Sequence, residues 1–448
     1  MKRLPIITFS LFFIAACVSN QIKTTETQWF EGELKAAKTP VIITIKGLKP
    51  NTPYNIQVYD RYHQSEKKET ASTKTTLMRT DRSVPESYKG THDGVHYSDD
   101  PGGITVVVLD STLILSIETS KASGVGFFRI SITPATEEAV RAAQRQNLTI
   151  DGIPIIRRGT PGSVPVSNSY GVFLHGSSIV PEARDLMGSY AAGGDYVFVS
   201  AEVGRFVDLP GVRSAESLIL DTKERANAPY AVERAELASA FLFDGGDQSI
   251  YYRAWIDSGF ANSVNKALSR KQASIGGNSA GLAILGDIVY AALHDESFTA
   301  EEALQNPYTP LMTLRKGPFR IPELKGAITE THFSERNRQG RLIAFLARIL
   351  ADNMLSLADA YGIAVDENTC LVIDNTGKTK VYGPGSAWIY VPQSMPDTCK
   401  EGFPLTWKGN AIKVIQLTPQ SQAYTWATIK QAPANFYYEV IEGKLHKR

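Results

Sequence analysis

The stretch Ala273-Ser274-Ile275-Gly276-Gly277-Asn278-Ser279-Ala280-Gly281-Leu282-Ala283 sets one serine between glycines, after an apolar run and before small residues. Gly-x-Ser-x-Gly in that setting reads as a nucleophile elbow, a sharp strand-to-helix turn that lifts a serine hydroxyl above a sheet. Such a turn leaves no room for large neighbours. The helix that follows favours negative charge at its N-terminus, which suits attack on a carbonyl. Ser279 is therefore the candidate nucleophile. A serine needs a base, and the base needs an orienter. Among seven histidines, His332 follows a predicted strand over 326–328 and precedes a helix. Strand ends are where α/β enzymes place functional groups. Arg336, Arg338 and Arg341 come next. On spacing alone they are either a solvated basic helix face or a grip for a carboxylate.

Four motifs occur in a fixed order: Asp244-Gly245-Gly246-Asp247-Gln248, the Ser279 elbow, the His332-to-Arg341 stretch, and Gly362-Ile363-Ala364-Val365-Asp366-Glu367-Asn368-Thr369. Together, over roughly residues 170–425, they resemble the cyanophycinase family of serine peptidases, which includes aspartyl dipeptidase. The resemblance implies a flavodoxin-like domain and hydrolysis of peptide bonds involving aspartate; cyanophycinase cuts the β-aspartyl-arginine units of a storage polymer. By position, Ser279 matches the nucleophile, His332 the base and Glu367 the acidic third member. Gln248, Arg336, Arg338 and Arg341 match positions lining the substrate pocket. Backbone N–H groups of Asn278 and Ala280, with those near Gly176, are candidates for the oxyanion hole. His294 and Asp295 offer a rival third member, less favoured because the orienter usually comes from a separate strand end. Two departures bear on the pocket: Glu330-Thr331 stands where the family carries Asp-Gln, and His175-Gly176-Ser177-Ser178 replaces a run of glycines.

These residues need a scaffold. After Tyr170 strand-like runs (171–174, 196–200, 217–220, 238–243, 272–275) alternate with helical ones (231–237, 250–267), which predicts an α/β fold with a mainly parallel sheet over residues 169–448. Residues 25–135 read instead as a small all-β sandwich, from the β-branched runs 41–45, 104–109, 113–117 and 126–132. Tyr54, entering a strand after a turn, resembles a tyrosine corner. A polar tether is expected over 21–39. Between the two domains, residues 136–168 read as a linker: a helical stretch at 137–146, then an exposed Arg157-Arg158 pair among turn formers.

The N-terminus has two positive charges, an apolar run over 4–16 and then Ala15-Ala16-Cys17. The run has the shape of a secretory signal and is too short to span a bilayer. Small residues before a cysteine resemble the lipobox of bacterial lipoproteins, so acylation of Cys17 and a lipid-anchored, envelope location, favouring the outer membrane, are expected. Two cysteines then remain in an oxidising compartment, and Cys370 and Cys399 are a candidate disulfide. Neither has a histidine at ligand spacing, and no metal or cofactor is expected. The 448 residues carry 47 basic and 46 acidic side chains, a formal net charge of +1. No global field would attract nucleic acid. The expected partners are a peptide or polymer substrate with aspartyl linkages, a membrane reached through the lipid and, as a further candidate, a second copy in a homodimer. The rival class is a surface binding protein on a degenerate hydrolase scaffold, against which the Ser-His-Glu set argues; another isoaspartyl or aspartyl peptidase is the third reading.

Overall fold

The computed structural model describes residues 146–448, apart from 167 and 202–204, and within residues 1–145 the strands and the side chain of Tyr54. The chain divides into two compact units, Met1–Arg145 and Gln146–Arg448. The described strands of the first unit form two sheets. Ala16–Ser19, Val41–Lys46, Thr112–Thr119, Thr73–Leu77 and Val95–His96 make one. Gln28–Leu34, Gly126–Pro134, Thr52–Tyr62 and Ile104–Val108 make the other. The strand Gln28–Leu34, paired antiparallel to Gly126–Pro134, occupies the stretch expected to be a tether. Tyr54 is buried in the strand Thr52–Tyr62. How the two sheets face one another, the apolar leader up to residue 15 and the helical stretch before Gln146 lie outside the described residues.

The second unit holds two mixed sheets. The nine-stranded one runs Gln146–Ile150, Ile153–Arg158, Ser214–Ile219, Asp195–Ser200, Ala240–Phe243, Ser274–Asn278, Gly171–His175, Cys370–Asp374, Thr379–Tyr382. Its central five strands are parallel and its flanks antiparallel. Those five are buried along almost their whole length, as a sheet covered on both faces requires. Counted along the chain, their spatial order is 3-2-4-5-1, whereas a flavodoxin-like sheet reads 2-1-3-4-5. The flavodoxin-like expectation is corrected to this order: the first strand lies beyond the nucleophile strand. An eight-stranded sheet, which the sequence reading does not contain, follows: Leu314–Lys316, Ile288–Tyr290, Ala327–Glu330, Tyr361–Val365, Ala387–Pro392, Trp407–Leu417, Phe436–Ile441, Lys444–Lys447.

Three further expectations change. Residues 146–158 are not a linker but a hairpin joined to the sheet edge, with Ile155–Arg158 registered on Ala215–Leu218. The Arg157-Arg158 pair is correspondingly not exposed: Arg157 Nε lies 2.7 Å from buried Glu216, and Arg158 Nε 2.7 Å from Asp208. The single helix read over 250–267 is two, Gln248–Trp255 and Gly259–Ser269. Asp257 at φ 51° breaks it, and the Ser258 hydroxyl restarts it by accepting from Ala261 N at 3.1 Å. The candidate disulfide is absent. Cys370 and Cys399 are free thiols in different apolar clusters, Cys370 on a strand of the nine-stranded sheet and Cys399 packed against the cluster of the eight-stranded one.

Candidate active site

The nucleophile strand Ser274–Asn278 ends at Ser279, which takes φ 51° and ψ −119° before the short helix Ala280–Ala283. Such angles are strained for a residue with a Cβ. Glycines make the turn possible. A Cβ on Gly277 would overlap the Gly281 carbonyl, and one on Gly281 would overlap the Phe243 carbonyl. Gly245, at the end of the neighbouring strand, comes so near that a Cβ there would sit 3.3 Å from Ser279 Cβ.

The candidate base arrives from the eight-stranded sheet. The strand Ala327–Glu330 leads through Thr331 to His332, at φ 46°, whose N–H donates to Gly176 O at 3.1 Å. His332 Nε2 lies 2.7 Å from Ser279 Oγ, and His332 Nδ1 lies 2.6 Å from Glu367 Oε1. Burial pushes the His332 ring below its ordinary pKa; the Glu367 hydrogen bond raises it, and the charges of Arg336 and Arg338 lower it again. The net effect favours the neutral imidazole that a general base needs. Glu367 follows the parallel strand Tyr361–Val365. The rival Asp295 lies exposed in the loop 294–297, and the carboxylate on His332 Nδ1 is that of Glu367.

Asp366 is the residue the sequence reading missed. Its Oδ1 accepts from Ser334 N at 3.1 Å, Ser334 Oγ at 2.6 Å and Trp388 Nε1 at 3.1 Å; its Oδ2 accepts from Ser386 N at 3.0 Å. It ties the loop after the base to the strand beside the acid. The signal was present as two adjacent carboxylates after a strand, of which one turns inward and one meets the histidine.

The arginines divide. Arg341 Nε and Nη2 each lie 2.7 Å from the two oxygens of Glu330, and Arg338 Nη1 lies 3.0 Å from Glu330 Oε1 and 2.9 Å from Thr331 O. Burial pushes the Glu330 carboxyl up, but the charges of Arg341 and Arg338 more than reverse this and hold it below its ordinary range. Arg341 is itself buried, ringed by Tyr290, Phe298 and Phe345 at 5.4–6.3 Å from one another. The reading of Arg341 as a substrate grip is thus corrected: its fork closes on an internal carboxylate, whereas Arg338 reaches Glu330 and Thr331 through Nη1 alone. Arg336 is half-exposed, with Nε 3.9 Å from Glu367 Oε1. Gln248 opens its helix and donates its amide to the Tyr290 carbonyl.

The oxyanion candidates divide as well. Gly176 N–H donates to Thr369 O at 2.9 Å, so it is committed to the backbone and is withdrawn. Asn278 belongs to the strand ladder, in register with His175. Ala280 occupies the first helical position, where N–H groups have no intrahelical partner. Among the described residues no group of three or more His, Cys, Asp or Glu could hold a metal ion, and no helix is long and apolar enough to cross a membrane.

Comparison with known proteins places these observations beside others. No family model matches the chain. It is 30% identical over 198 residues to a cyanophycinase of Trichormus variabilis, covering 44% of this chain and 60% of that protein. A cyanophycinase of Nostoc sp. is 29% identical over the same shares. The chain thus spans about 60% of the length of these curated relatives. Among solved structures, a peptidase from an acI-B1 Actinobacterium is similar with TM-score 0.38 and 17% identity, over 59% of this chain and 98% of that one. A peptidase E protein from Listeria monocytogenes matches with TM-score 0.32 and 12% identity, over 48% of this chain and all of that one.

Proposed function

We propose that this chain is a serine-type peptidase that cleaves aspartyl or β-aspartyl peptide bonds, with Ser279 as nucleophile, His332 as base and Glu367 as its orienter. One observation carries the reading: the unbroken run from Ser279 Oγ to His332 Nε2 at 2.7 Å and from His332 Nδ1 to Glu367 Oε1 at 2.6 Å. The similarity to proteins named cyanophycinase supports it and suggests the linkage.

In the proposed reaction Ser279 Oγ attacks the scissile carbonyl carbon while its proton passes to His332 Nε2. The oxyanion meets the Ala280 N–H at the helix start. Glu367 stabilises the imidazolium through Nδ1 without taking its proton. The C–N bond then breaks as Nε2 returns the proton to the leaving amine. Water attacks the acyl-enzyme, gives its proton to His332, and the serine hydroxyl is restored as a carboxylic acid leaves.

With the Arg341 fork closed on Glu330, Arg336, half-exposed and with Nε 3.9 Å from Glu367 Oε1, is the arginine proposed to meet a substrate carboxylate. A β-aspartyl linkage leaves its α-carboxylate free, which fits a guanidinium fork. The test is a matched pair of β-aspartyl dipeptides, one with that carboxylate free and one amidated. The free form should have the higher kcat/KM, and Arg336→Lys should narrow the gap. Equal values for both substrates contradict this specificity. Acylation at Cys17 and an envelope location are part of the same proposal and rest on the N-terminal signal alone.

A further inference from the structure

Glu367 stands where the chain crosses from one sheet to the other. Tyr361–Val365 belongs to the eight-stranded sheet, and Cys370–Asp374 belongs to the nine-stranded one. The crossing, residues 366–369, has no ladder of its own. Asp366, at its start, is held by Ser334, Ser386 and Trp388, and the rest of the crossing also meets a short turn at the end of the strand Gly171–His175, which lies between the Ser279 strand and Cys370–Asp374. His175 O accepts from Ser279 N at 3.2 Å, and Gly176 O accepts from His332 N at 3.1 Å. Gly176 N donates to Thr369 O at 2.9 Å, and Ser177 Oγ accepts from Asn368 N at 2.8 Å. A Cβ on Gly176 would overlap the Asp366 carbonyl, so turn and crossing are in direct contact. Three consecutive residues therefore touch the backbone at the nucleophile, at the base and beside the acid. Three of these four bonds are main-chain. The fourth comes from a side chain and ends on Asn368, a non-glycine residue at φ 52° immediately after Glu367.

We propose that Ser177 is a positioning residue for the catalytic acid: its hydroxyl pins the crossing that carries Glu367 to the turn that also fixes Ser279 and His332. The inference rests on the Ser-His-Glu reading above. Glu367 is one-third exposed and is held at its own N–H by the carboxylate of Glu335 at 3.1 Å. Without the Ser177 anchor Asp366 and Thr369 stay held, but Asn368 N–H loses its acceptor and the segment between them, which carries Glu367, gains freedom to swing. Glu367 would then bond His332 Nδ1 less often. Because that bond raises the basicity of the ring, its loss lowers the pH at which His332 takes up a proton. A displacement near 1 Å can cost about 100-fold in rate; a loosened rather than displaced acid should cost on the order of tenfold.

The test is the rate at which a fluorophosphonate probe labels the whole protein across pH, which needs no knowledge of the substrate. Ser177→Ala should label about tenfold more slowly than the unaltered protein, with the midpoint of its acidic limb moved to lower pH. Ser177→Thr keeps a hydroxyl and should restore both values. A Ser177→Ala protein that labels at the unaltered rate overturns the inference. So does one slowed with no movement of the midpoint, since that assigns Ser177 to general stability. If the unaltered protein does not label, or Ser279→Ala still does, the triad reading itself falls and takes the inference with it.

Discussion

Ser279, His332 and Asn368 share a feature unusual for residues with a Cβ: φ of 51°, 46° and 52°. Each lies at or next to a member of the proposed triad, and left-handed angles persist there only because surrounding bonds fix them. The same packing sets the titration of the base. Burial holds His332 below the ordinary histidine value of about 6.5, and only the neutral ring accepts the serine proton. Activity should therefore be retained through pH 6.5 and fall only as pH drops through the lower folded value, which a kcat/KM profile on a β-aspartyl dipeptide measures. Glu367→Gln removes the charge that stabilises the imidazolium and should lower kcat by about 10²- to 10⁴-fold. Asp295→Asn, in an exposed loop, should leave kcat nearly unchanged. Ser279 and His332 stood out by residue type and setting, and Glu367 through the family resemblance; the fold brings the three within hydrogen-bond reach. The task of the arginines was not legible, because nothing in the spacing says that Glu330 turns back onto Arg341 across 11 residues.

Among the elements, the strand Gly171–His175 and the helix Pro181–Tyr190 meet through an imidazole. His175 Nδ1 accepts from Val180 N at 3.1 Å, in place of a side-chain cap on that helix. Burial pushes this ring down to about 3. The folded pKa lies below the unfolded one, so between about 6.5 and 3 the unfolded chain binds the extra proton and stability falls as pH falls. Each pH unit in that window removes up to about 1.4 kcal/mol. His175→Asn keeps an acceptor without a titrating ring, and its urea unfolding free energy should depend less steeply on pH in that window. The helix Gln339–Ala351 is anchored differently, through the buried Arg341–Glu330 pair. Arg341→Met leaves the buried Glu330 charge to Arg338 alone and should cost about 3 kcal/mol, while Glu330→Gln with Arg341→Met should cost clearly less than the two changes summed. Chemical denaturation of the four proteins measures that cycle. The individual strands of the first sheet and the elbow could be read from periodicity and glycine placement. Their spatial order and the second sheet could not, since pairing partners are set by contacts tens of residues apart.

At the scale of the whole molecule, the two sheets of the second unit contribute complementary parts. The nine-stranded sheet supplies Ser279, the eight-stranded sheet supplies His332, and Glu367 lies on the crossing between them. Neither sheet alone holds all three side chains, so Ser279, His332 and Glu367 meet only where the two sheets join. Cysteine parity pointed to a bridge, but the fold places Cys370 and Cys399 in separate clusters, and parity carries no information about distance. The acylation proposal belongs to this scale too. Cys17→Ser should move the protein from the membrane fraction to the soluble one, and mass spectrometry of the mature N-terminus should find acyl chains on Cys17 and none in the variant.

The triad itself is tested most directly by mapping where a fluorophosphonate becomes attached. The protein is treated at neutral pH, digested, and its peptides weighed. The account predicts one phosphonylated site, Ser279, formed in the unaltered protein and nearly absent after heat denaturation or in His332→Ala. An adduct on a different residue, or one that forms on Ser279 just as fast in His332→Ala, would contradict it.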